Sequence, residues 1–308
     1  MVVLMNRYIF SIEKKGRKRL IRFLGIKIKY RVRLKRKTII SGVTQRKRKT
    51  ELIISLTSFP DRINKIYDCI ETLLMQSLKA DRVILYLAEE QFPGKEESIC
   101  KDVLFLKNLG LEIRWCRDLK SYKKLIPALK EFPDAIIVTA DDDFYYPENW
   151  LENLYLSYLK TPDCICGGNV RKVGFDKEKN VLPTDKWPNW AEENKPSFLN
   201  KILSGSGTLF PPHIFNDEIF NEKVFTSLCP YNDDLWFWCM AVICGVKVKK
   251  IDGGMTEYNY LPDIQEGYSI SKVNLVDNYK VFNAELNNLL RKYPNFKENL
   301  LSENPFII

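Results

Sequence analysis

Histidine is nearly absent from this sequence, since His213 is the only one among 308 residues. A histidine-rich catalytic metal site is therefore excluded. A serine-hydrolase arrangement is excluded too, because the sequence has only this one histidine and no G-x-S-x-G turn. The setting of His213, Pro-Pro-His-Ile-Phe, favours a structural role. Cysteine occurs eight times without a CxxC pair, which argues against structural zinc and indicates reduced thiols in a cytosolic setting.

Long hydrophobic runs are also missing. The longest nearly apolar run, Leu235 to Val246, has twelve residues, whereas a membrane-spanning helix needs about 20. The first residues, Val2-Val3-Leu4-Met5 followed by Arg7, lack the small-residue cleavage site of a signal peptide. We therefore expect a cytoplasmic protein.

Acidic residues are scarce at the N-terminus. Residues 1–50 hold 18 of the 48 lysines and arginines and one acid, Glu13, which gives this stretch a net charge of +17. The rest of the chain has 30 basic and 38 acidic side chains and is mildly acidic. A basic extension, residues 1–49, favours a polyanionic partner. We expect that partner to be an anionic membrane surface, with the protein peripheral on the inner face of the cell membrane.

Beyond residue 50 the pattern alternates between strands and helices. Apolar runs predict four strands, and 3.6-residue spacing predicts a helix beginning at Asp61 and others after it. The predicted strands are 51–57, 82–88, 111–116 and 135–140, and the later helices are 96–109, 122–130 and 273–292. This alternation predicts an α/β fold of the Rossmann-like kind, a mostly parallel sheet with helices on both faces.

Charge and composition suggest boundaries within the chain. Residues 50–275 are predicted to form the main domain, with a nucleotide-binding half at 50–160 and an acceptor half at 161–275. Residues 276–308 are predicted to form a C-terminal helical tail. In the basic extension, 22–30 is predicted to be a short strand or hairpin, and 45–49 a charged linker.

Three adjacent aspartates, Asp141, Asp142 and Asp143, directly follow the apolar strand 135–140. They precede Pro147, which suits the first position of a helix. Ligands of parallel sheets bind beyond the carboxyl ends of the strands. Neighbouring carboxylates repel one another, and Mn²⁺ or Mg²⁺, which take oxygen ligands, would relieve that repulsion. The alternative interpretation is an acidic turn that caps the next helix.

A strand, a D-x-D motif and an aromatic–proline helix start together resemble GT-A glycosyltransferases, closest to bacterial family-2-like enzymes of surface polysaccharide or lipooligosaccharide synthesis. The resemblance covers residues 50–255, and 53–62 resembles the family's first strand and nucleotide-contacting loop. It implies the GT-A fold and transfer of sugar from a nucleoside-diphosphate sugar, with UDP as the nucleotide. It also implies metal binding by Asp143, with Asp141 beside the metal and the ribose. A one-residue slip to Asp142 stays open.

Further positions fit this resemblance as contacts to the donor substrate. Arg62 suits a phosphate, Glu89 the ribose or base, and the glycine-rich segment would let the backbone approach the sugar and pyrophosphate. The predicted substrate-binding set is Thr57, Ser58, Arg62, Glu89, Asp118, Tyr122, Lys124, Asp141, Asp142, Gly205, Ser206 and Gly207. Tyr122 equally suits the core, and the glycine-rich segment equally suits a bulged strand.

A second acidic pair, Asp233-Asp234, opens the apolar helix that runs to Cys244. It resembles the family's pair that supplies the general base, and Asp234 is favoured over Asp233. Capping of the helix is the alternative role. Three tryptophans suit either stacking on an acceptor sugar or the core: Trp187, Trp190 and Trp236.

The sequence therefore predicts a metal-dependent, inverting glycosyltransferase that acts on a hydroxyl of a glycan or a lipid-linked acceptor. A non-catalytic nucleic-acid-binding protein is the first alternative. The acidic main domain and the lack of a recognition motif argue against it, so no nucleic-acid partner is expected. A metal-dependent nucleotidyltransferase is the second alternative. The lack of a glycine-rich, basic loop after the first strand argues against that one.

Overall fold

The computed structural model describes residues 10–15, 18–23, 26–31, 41–46, 48–188, 194–252, 260–261 and 279–303. Its first three strands form an antiparallel sheet in the order β1-β2-β3. They are β1 (Phe10–Lys15), β2 (Lys18–Phe23) and β3 (Ile26–Arg31). The basic extension thus contains a three-stranded sheet, more structure than the single strand or hairpin expected there.

The main sheet has seven strands in the order β10-β8-β9-β7-β4-β5-β6. Strand β9 runs antiparallel to both of its neighbours, and the other pairs are parallel. This confirms the predicted mostly parallel α/β sheet. The strands are β4 (Leu52–Thr57), β5 (Arg82–Ala88), β6 (Leu111–Cys116), β7 (Ile136–Ala140), β8 (Ile165–Lys172), β9 (Asn200–Phe210) and β10 (Val248–Lys250).

Both faces of the main sheet are buried. In β4, Leu52, Ile54 and Leu56 belong to one core cluster, whereas Ile53 belongs to the other. Successive side chains of a strand point to opposite faces, so each cluster fills one side. The helices that cover the two faces are α1 (Pro60–Ile63), α2 (Tyr67–Leu74), α3 (Lys101–Phe105), α4 (Ile126–Glu131), α5 (Trp150–Lys160), α6 (Glu222–Leu228), α7 (Asp233–Ile243), α8 (Lys280–Lys292) and α9 (Pro294–Ser302).

Four predicted helices differ from those observed. The stretch 122–130 is a short turn over Lys120–Lys124 followed by α4. The helix expected from Asp61 onward is divided into α1 and α2. The stretch 96–109 is a series of short turns around α3, and it ends at Gly110 with φ 109°. Pro147 does not begin a helix, because the backbone there forms a turn in which the Trp150 amide donates to the Pro147 carbonyl at 3.0 Å.

Helix α7 is apolar on nearly every side because it lies between the sheet and the C-terminal helices. Its Trp236 is fully buried and donates its indole N–H to the Ile219 carbonyl at 3.2 Å, so Trp236 belongs to the core. Helices α8 and α9 fill the same core as α7, with Phe282, Leu286, Leu289, Phe296 and Leu300. Among the described helices, none combines the length and hydropathy of a membrane span.

The packed body begins before the expected boundary at Thr50. The Gly42 amide donates to the Leu109 carbonyl at 2.6 Å, and the Thr44 amide donates to Ala80 at 2.8 Å. Arg48, in the stretch expected to be a linker, pairs with Asp81 at 2.8 Å. Residues 41–46 and Arg48 therefore pack against the main domain through backbone and side-chain contacts.

Candidate active site

A cleft of about 740 Å³ opens where β4 and β7 end. These strands are parallel neighbours, with Leu56 opposite Ala140, so the residues that follow them meet at one edge of the sheet. The amino end of α7 and one face of β8 and β9 complete the walls. The predicted site residues that line the cleft are Thr57, Ser58, Arg62, Asp118, Lys124, Asp141, Asp142, Asp143, Gly205, Ser206, Asp233 and Asp234.

Asp142 holds the loop after β4. The Ser58 hydroxyl donates to Asp142 Oδ2 at 2.5 Å, and Arg62 Nη1 donates to Asp142 Oδ1 at 2.7 Å. The same Arg62 nitrogen lies 3.3 Å from Asp143 Oδ2. Burial raises the pKa of Asp142, while Arg62 and Ser58 oppose the rise. Because both of its oxygens are engaged, Asp142 fixes the position of Arg62 at the cleft wall.

Lys124 joins two acidic groups that are far apart in the chain. Its ammonium donates to Asp141 Oδ1 at 2.9 Å and lies 2.9 Å from Asp233 Oδ2 and 3.8 Å from Asp234 Oδ1. Burial lowers the pKa of this 4% exposed lysine, but the three carboxylates outweigh that effect and raise it well above the ordinary value. Lys124 is therefore a fixed positive charge between the two groups.

The Tyr146 hydroxyl holds the backbone of Asp141 in place. Its amide donates to the Tyr146 hydroxyl at 2.7 Å, and that hydroxyl lies 3.1 Å from the Asp141 carbonyl and 3.2 Å from the Gly205 carbonyl. Tyr146 is buried, so these contacts orient the acidic turn relative to β9.

Asp143 sits in an excess of negative charge. Burial, with the charges of Asp141 and Asp142, raises its pKa to about 7, and Arg62 opposes the rise. In the described part of the chain, no three His, Cys, Asp or Glu side chains form a complete metal cage. A divalent cation with one or two carboxylate ligands and substrate phosphates needs no such cage. The oxygen donors of Asp143 and Asp141 fit Mn²⁺ or Mg²⁺ bound in that way.

The glycine-rich segment of β9 lies directly against the acidic turn. A Cβ at Gly205 would come within 3.0 Å of Asp141 Oδ2 and 2.9 Å of the Phe144 ring. The Ser206 carbonyl accepts a hydrogen bond from the Trp150 indole at 2.8 Å. The segment is a strand, and its small residues bring the β9 backbone to the floor of the cleft.

The two acids at the start of α7 differ in surroundings. Asp233 is 6% exposed and is held by Lys124, and burial raises its pKa. The Asp234 side chain is 21% exposed, and its oxygens lie 3.8 Å from the ammonium groups of Lys124 and Lys201. Neither acid is the N-cap of α7, which is Asn232. Asp234 is thus the more accessible carboxylate of the pair.

Three predicted substrate-binding residues lie outside the cleft lining: Gly207, Tyr122 and Glu89. Tyr122 is in the core, where its hydroxyl donates to the Cys229 carbonyl at 2.6 Å and its ring stacks on Phe225 at 4.2 Å. Glu89 is exposed beyond β5 and pairs with Lys95 at 3.1 Å.

Asp118 lines the cleft and is paired with Lys123 at 2.7 Å, a contact that keeps its pKa below the ordinary value despite partial burial. Among the tryptophans suggested for the acceptor, Trp187 lines the cleft. Trp190 lies outside the described residues.

Sequence reasoning missed several residues of the cleft wall that β8 and β9 form. Lys201 and Leu203 of β9 line the cleft in alternation with Gly205, which was predicted. Asn169 and Arg171 of β8 line it as well. The two-residue spacing of these side chains could have indicated that they share one face of the sheet. A lysine in a strand is usually solvent-facing, so the pattern alone gave no reason to place Lys201 in a buried wall.

No family model and no curated protein matches this sequence. Among solved structures, the chain is similar to a CMP:2-keto-3-deoxy-manno-octonic acid synthetase complexed with CTP, with a TM-score of 0.41 and 10% identity over 70% of this chain and 96% of that one. It is also similar to the mannosyltransferase PcManGT from Pyrobaculum calidifontis in complex with GDP-Man and Mn²⁺. That TM-score is 0.40, with 13% identity over 82% of this chain and 74% of the other. Both similarities concern the fold alone, and the site is interpreted from its own residues.

Proposed function

We propose that this protein is a metal-dependent glycosyltransferase that moves a sugar from a nucleoside-diphosphate sugar, with UDP as the nucleotide, to a hydroxyl of a glycan or lipid-linked acceptor. The observation that carries the proposal is the meeting of two acidic groups at Lys124. The oxygen donors of Asp141 and Asp143 suit a cation bound to a diphosphate, and Asp234 stands in the same cleft as a candidate base. Sugar transfer needs the cation site and the base within reach of the same sugar.

On the donor side, Asp143 and Asp141 would hold Mn²⁺ or Mg²⁺. The bound cation would supply positive charge to the leaving diphosphate. Arg62, fixed by Asp142, stands beside Asp143 and suits a phosphate oxygen. Thr57 and Ser58 line the wall at the end of β4, where a nucleotide would lie.

On the acceptor side, Asp234 is the proposed general base and Asp233 the residue that anchors Lys124. An acceptor hydroxyl would pass its proton to the Asp234 carboxylate as its oxygen attacks the anomeric carbon, opposite the departing diphosphate, with inversion. The greater exposure of Asp234 and its longer contacts support this division of roles.

The first test is a thermal-shift screen of nucleoside diphosphates and their sugars, with and without Mn²⁺. The expected result is a rise in the melting temperature with one nucleotide that requires Mn²⁺. The rise should be lost in Asp143→Ala and kept in Asp163→Ala, which removes an exposed carboxylate elsewhere. The absence of any nucleotide-dependent shift in the wild type would refute the proposal.

Product analysis separates this proposal from a nucleotidyltransferase. The transferase should release a nucleoside diphosphate from its donor, whereas a nucleotidyltransferase would release pyrophosphate from a nucleoside triphosphate and a sugar phosphate. The residues between β4 and α1 include no glycine, unlike a glycine-rich triphosphate loop. Pyrophosphate release would therefore overturn the assignment.

We further propose that the basic N-terminal residues dock the enzyme on an anionic membrane, on the cytoplasmic face where lipid-linked acceptors would be reached. The net charge of +17 in residues 1–50 supports this, since each basic residue near such a surface contributes about 1 kcal/mol. The full chain should sediment with anionic vesicles and not with neutral ones. A chain that begins at Ser41 keeps the packed residues and should lose sedimentation. Equal sedimentation of both chains would contradict docking.

A further inference from the structure

Two positive side chains lie side by side on the acceptor wall. Arg171 of β8 pairs directly with Lys201 of β9 in the antiparallel register, so the two residues share one face of the sheet. Both line the cleft, and Lys201 is 4% exposed. Like charges directly opposite each other destabilise a sheet. The fold therefore maintains an arrangement that an anion would stabilise.

The protein compensates this pair only in part. Lys201 Nζ lies 3.8 Å from Asp234 Oδ2 and 5.3 Å from the centre of the Phe282 ring. Burial lowers the pKa of Lys201, with Asp234 opposing the effect. Among the described residues, Arg171 has no acidic partner within 4.0 Å. Its guanidinium lies 6.0 Å from the centre of the Trp187 ring.

The rings beside the two cations form an aromatic wall. Trp187 and Phe282 meet edge to face with centroids 5.9 Å apart, and both line the cleft. Sugar rings present C–H groups that pack on such aromatic faces, while a guanidinium binds phosphate or carboxylate oxygens in pairs. The wall thus combines surfaces for a sugar and for an anionic substituent.

The donor diphosphate is a poor candidate for this anion. Lys201 is four residues before Gly205, the residue that lies against Asp141, and a strand covers on the order of 13 Å over that interval. The diphosphate already has Arg62 and the cation-binding carboxylates near it. The cation pair instead lies toward Asp234, where the acceptor is expected.

We propose that Arg171 and Lys201 bind a phosphate or carboxylate group on the acceptor sugar, which stacks on the wall of Trp187 and Phe282. The assignment of this site to the acceptor rests on the proposed function, whereas the anion site itself does not. The acceptor class is therefore a sugar phosphate or a uronic acid rather than a neutral sugar.

The test is calorimetric titration of the full chain with glucose 6-phosphate, glucuronate and glucose, each without nucleotide or divalent metal. At least one anionic sugar should bind about tenfold or more tightly than glucose. Arg171→Gln should abolish the preference. Lys172→Gln, which removes the same charge from the neighbouring residue on the other face of β8, should keep it. The tighter of the two anionic sugars identifies phosphate or carboxylate as the recognised group.

Equal binding of the three sugars would overturn the proposal. So would a preference that survives Arg171→Gln and disappears in Arg62→Gln, because the anion would then lie beside the aspartate cluster. Arg171→Lys, which retains the charge, should keep part of the preference and guards against a folding defect. The titrations contain neither nucleotide nor metal. A negative nucleotide screen would therefore refute the transferase proposal without deciding whether the anion site exists. Equal binding of the three sugars would likewise refute the anion site without deciding the transferase proposal.

Discussion

The indole ring of Trp150 occupies the space in which a side chain at Gly207 would lie. A Cβ at Gly207 would come within 2.4 Å of the ring, and the residue has φ +95°, a region that favours glycine. The same indole donates to the Ser206 carbonyl at 2.8 Å. Trp150 thus fixes the β9 backbone where it approaches the acidic turn.

Gly207→Ala should therefore destabilise the fold strongly. The left-handed backbone costs about 1–2 kcal/mol for a residue with a Cβ, and overpacking against Trp150 adds about 1–3 kcal/mol. Gly245→Ala is the matched control, since Gly245 has φ +76° with no atom within 4 Å of the added Cβ. Urea denaturation should show the larger loss for Gly207→Ala, and equal losses would contradict the packing described.

The two acids at the start of α7 should respond differently to amide replacement. Asp234→Asn should lower kcat by about 10²–10⁴-fold, the usual contribution of a positioned base. Asp233→Asn should act mainly on stability, because it weakens the contact with Lys124. Steady-state kinetics with parallel denaturation curves measure both effects. A larger loss of kcat in Asp233→Asn would reverse the roles.

Lys124→Met should be among the most destabilising single substitutions in the cleft. It leaves the buried Asp233 carboxylate, and the partly exposed carboxylates of Asp141 and Asp234, without the ammonium between them. Removal of one partner of a buried ion pair costs about 3–5 kcal/mol. Lys160→Met, at an exposed position in the last turn of α5, should change the free energy of unfolding by less than about 0.5 kcal/mol. Similar values for both variants would count against this charge arrangement.

Stability should depend on pH through Glu285 of α8. Its carboxylate accepts from the Asn232 side chain at 2.6 Å and from the Tyr231 amide at 3.1 Å, just before the Asp233–Asp234 pair. Burial raises its pKa above the ordinary 4.5. The folded chain therefore binds this proton more tightly than the unfolded chain. The associated stability is complete below pH 4.5 and is lost as pH rises through the raised pKa.

Glu285→Gln removes this titration and retains an oxygen acceptor. The free energy of unfolding of the variant should gain on that of the wild type as pH rises from 4.5 to neutrality. Urea denaturation at several pH values measures the difference. Parallel profiles for the two proteins would show that Glu285 does not titrate in this way.

Strands were the most predictable part of the fold. Residues 82–88 and 111–116 were expected and are observed as β5 and β6, because apolar runs between turn residues leave few alternatives. The predicted helix 96–109 and the predicted helix start at Pro147 were wrong in detail. Local spacing favoured continuous helices there, whereas packing against the sheet produced short turns and a later start.

The acidic turn could be placed from the sequence because it follows a buried strand, and that position lies at the carboxyl edge of the sheet. The contact of Lys124 with Asp233 joins residues 109 positions apart, and no local pattern encodes such a distance. Tyr122 was ambiguous for a related reason. An aromatic residue near a loop suits the core or a ligand equally, and only the packing of α6 and α7 against it decides.

The position of Lys124 couples the two acidic groups of the cleft. One ammonium is shared by Asp141 of the turn after β7 and by Asp233 and Asp234 of α7, so the free energy of binding a cation at Asp141 depends on the charge at Asp234. Thermodynamic reciprocity requires the converse effect to be equal in free energy. Under the proposed roles, binding on the donor side and the charge of the base would therefore be coupled through this one side chain.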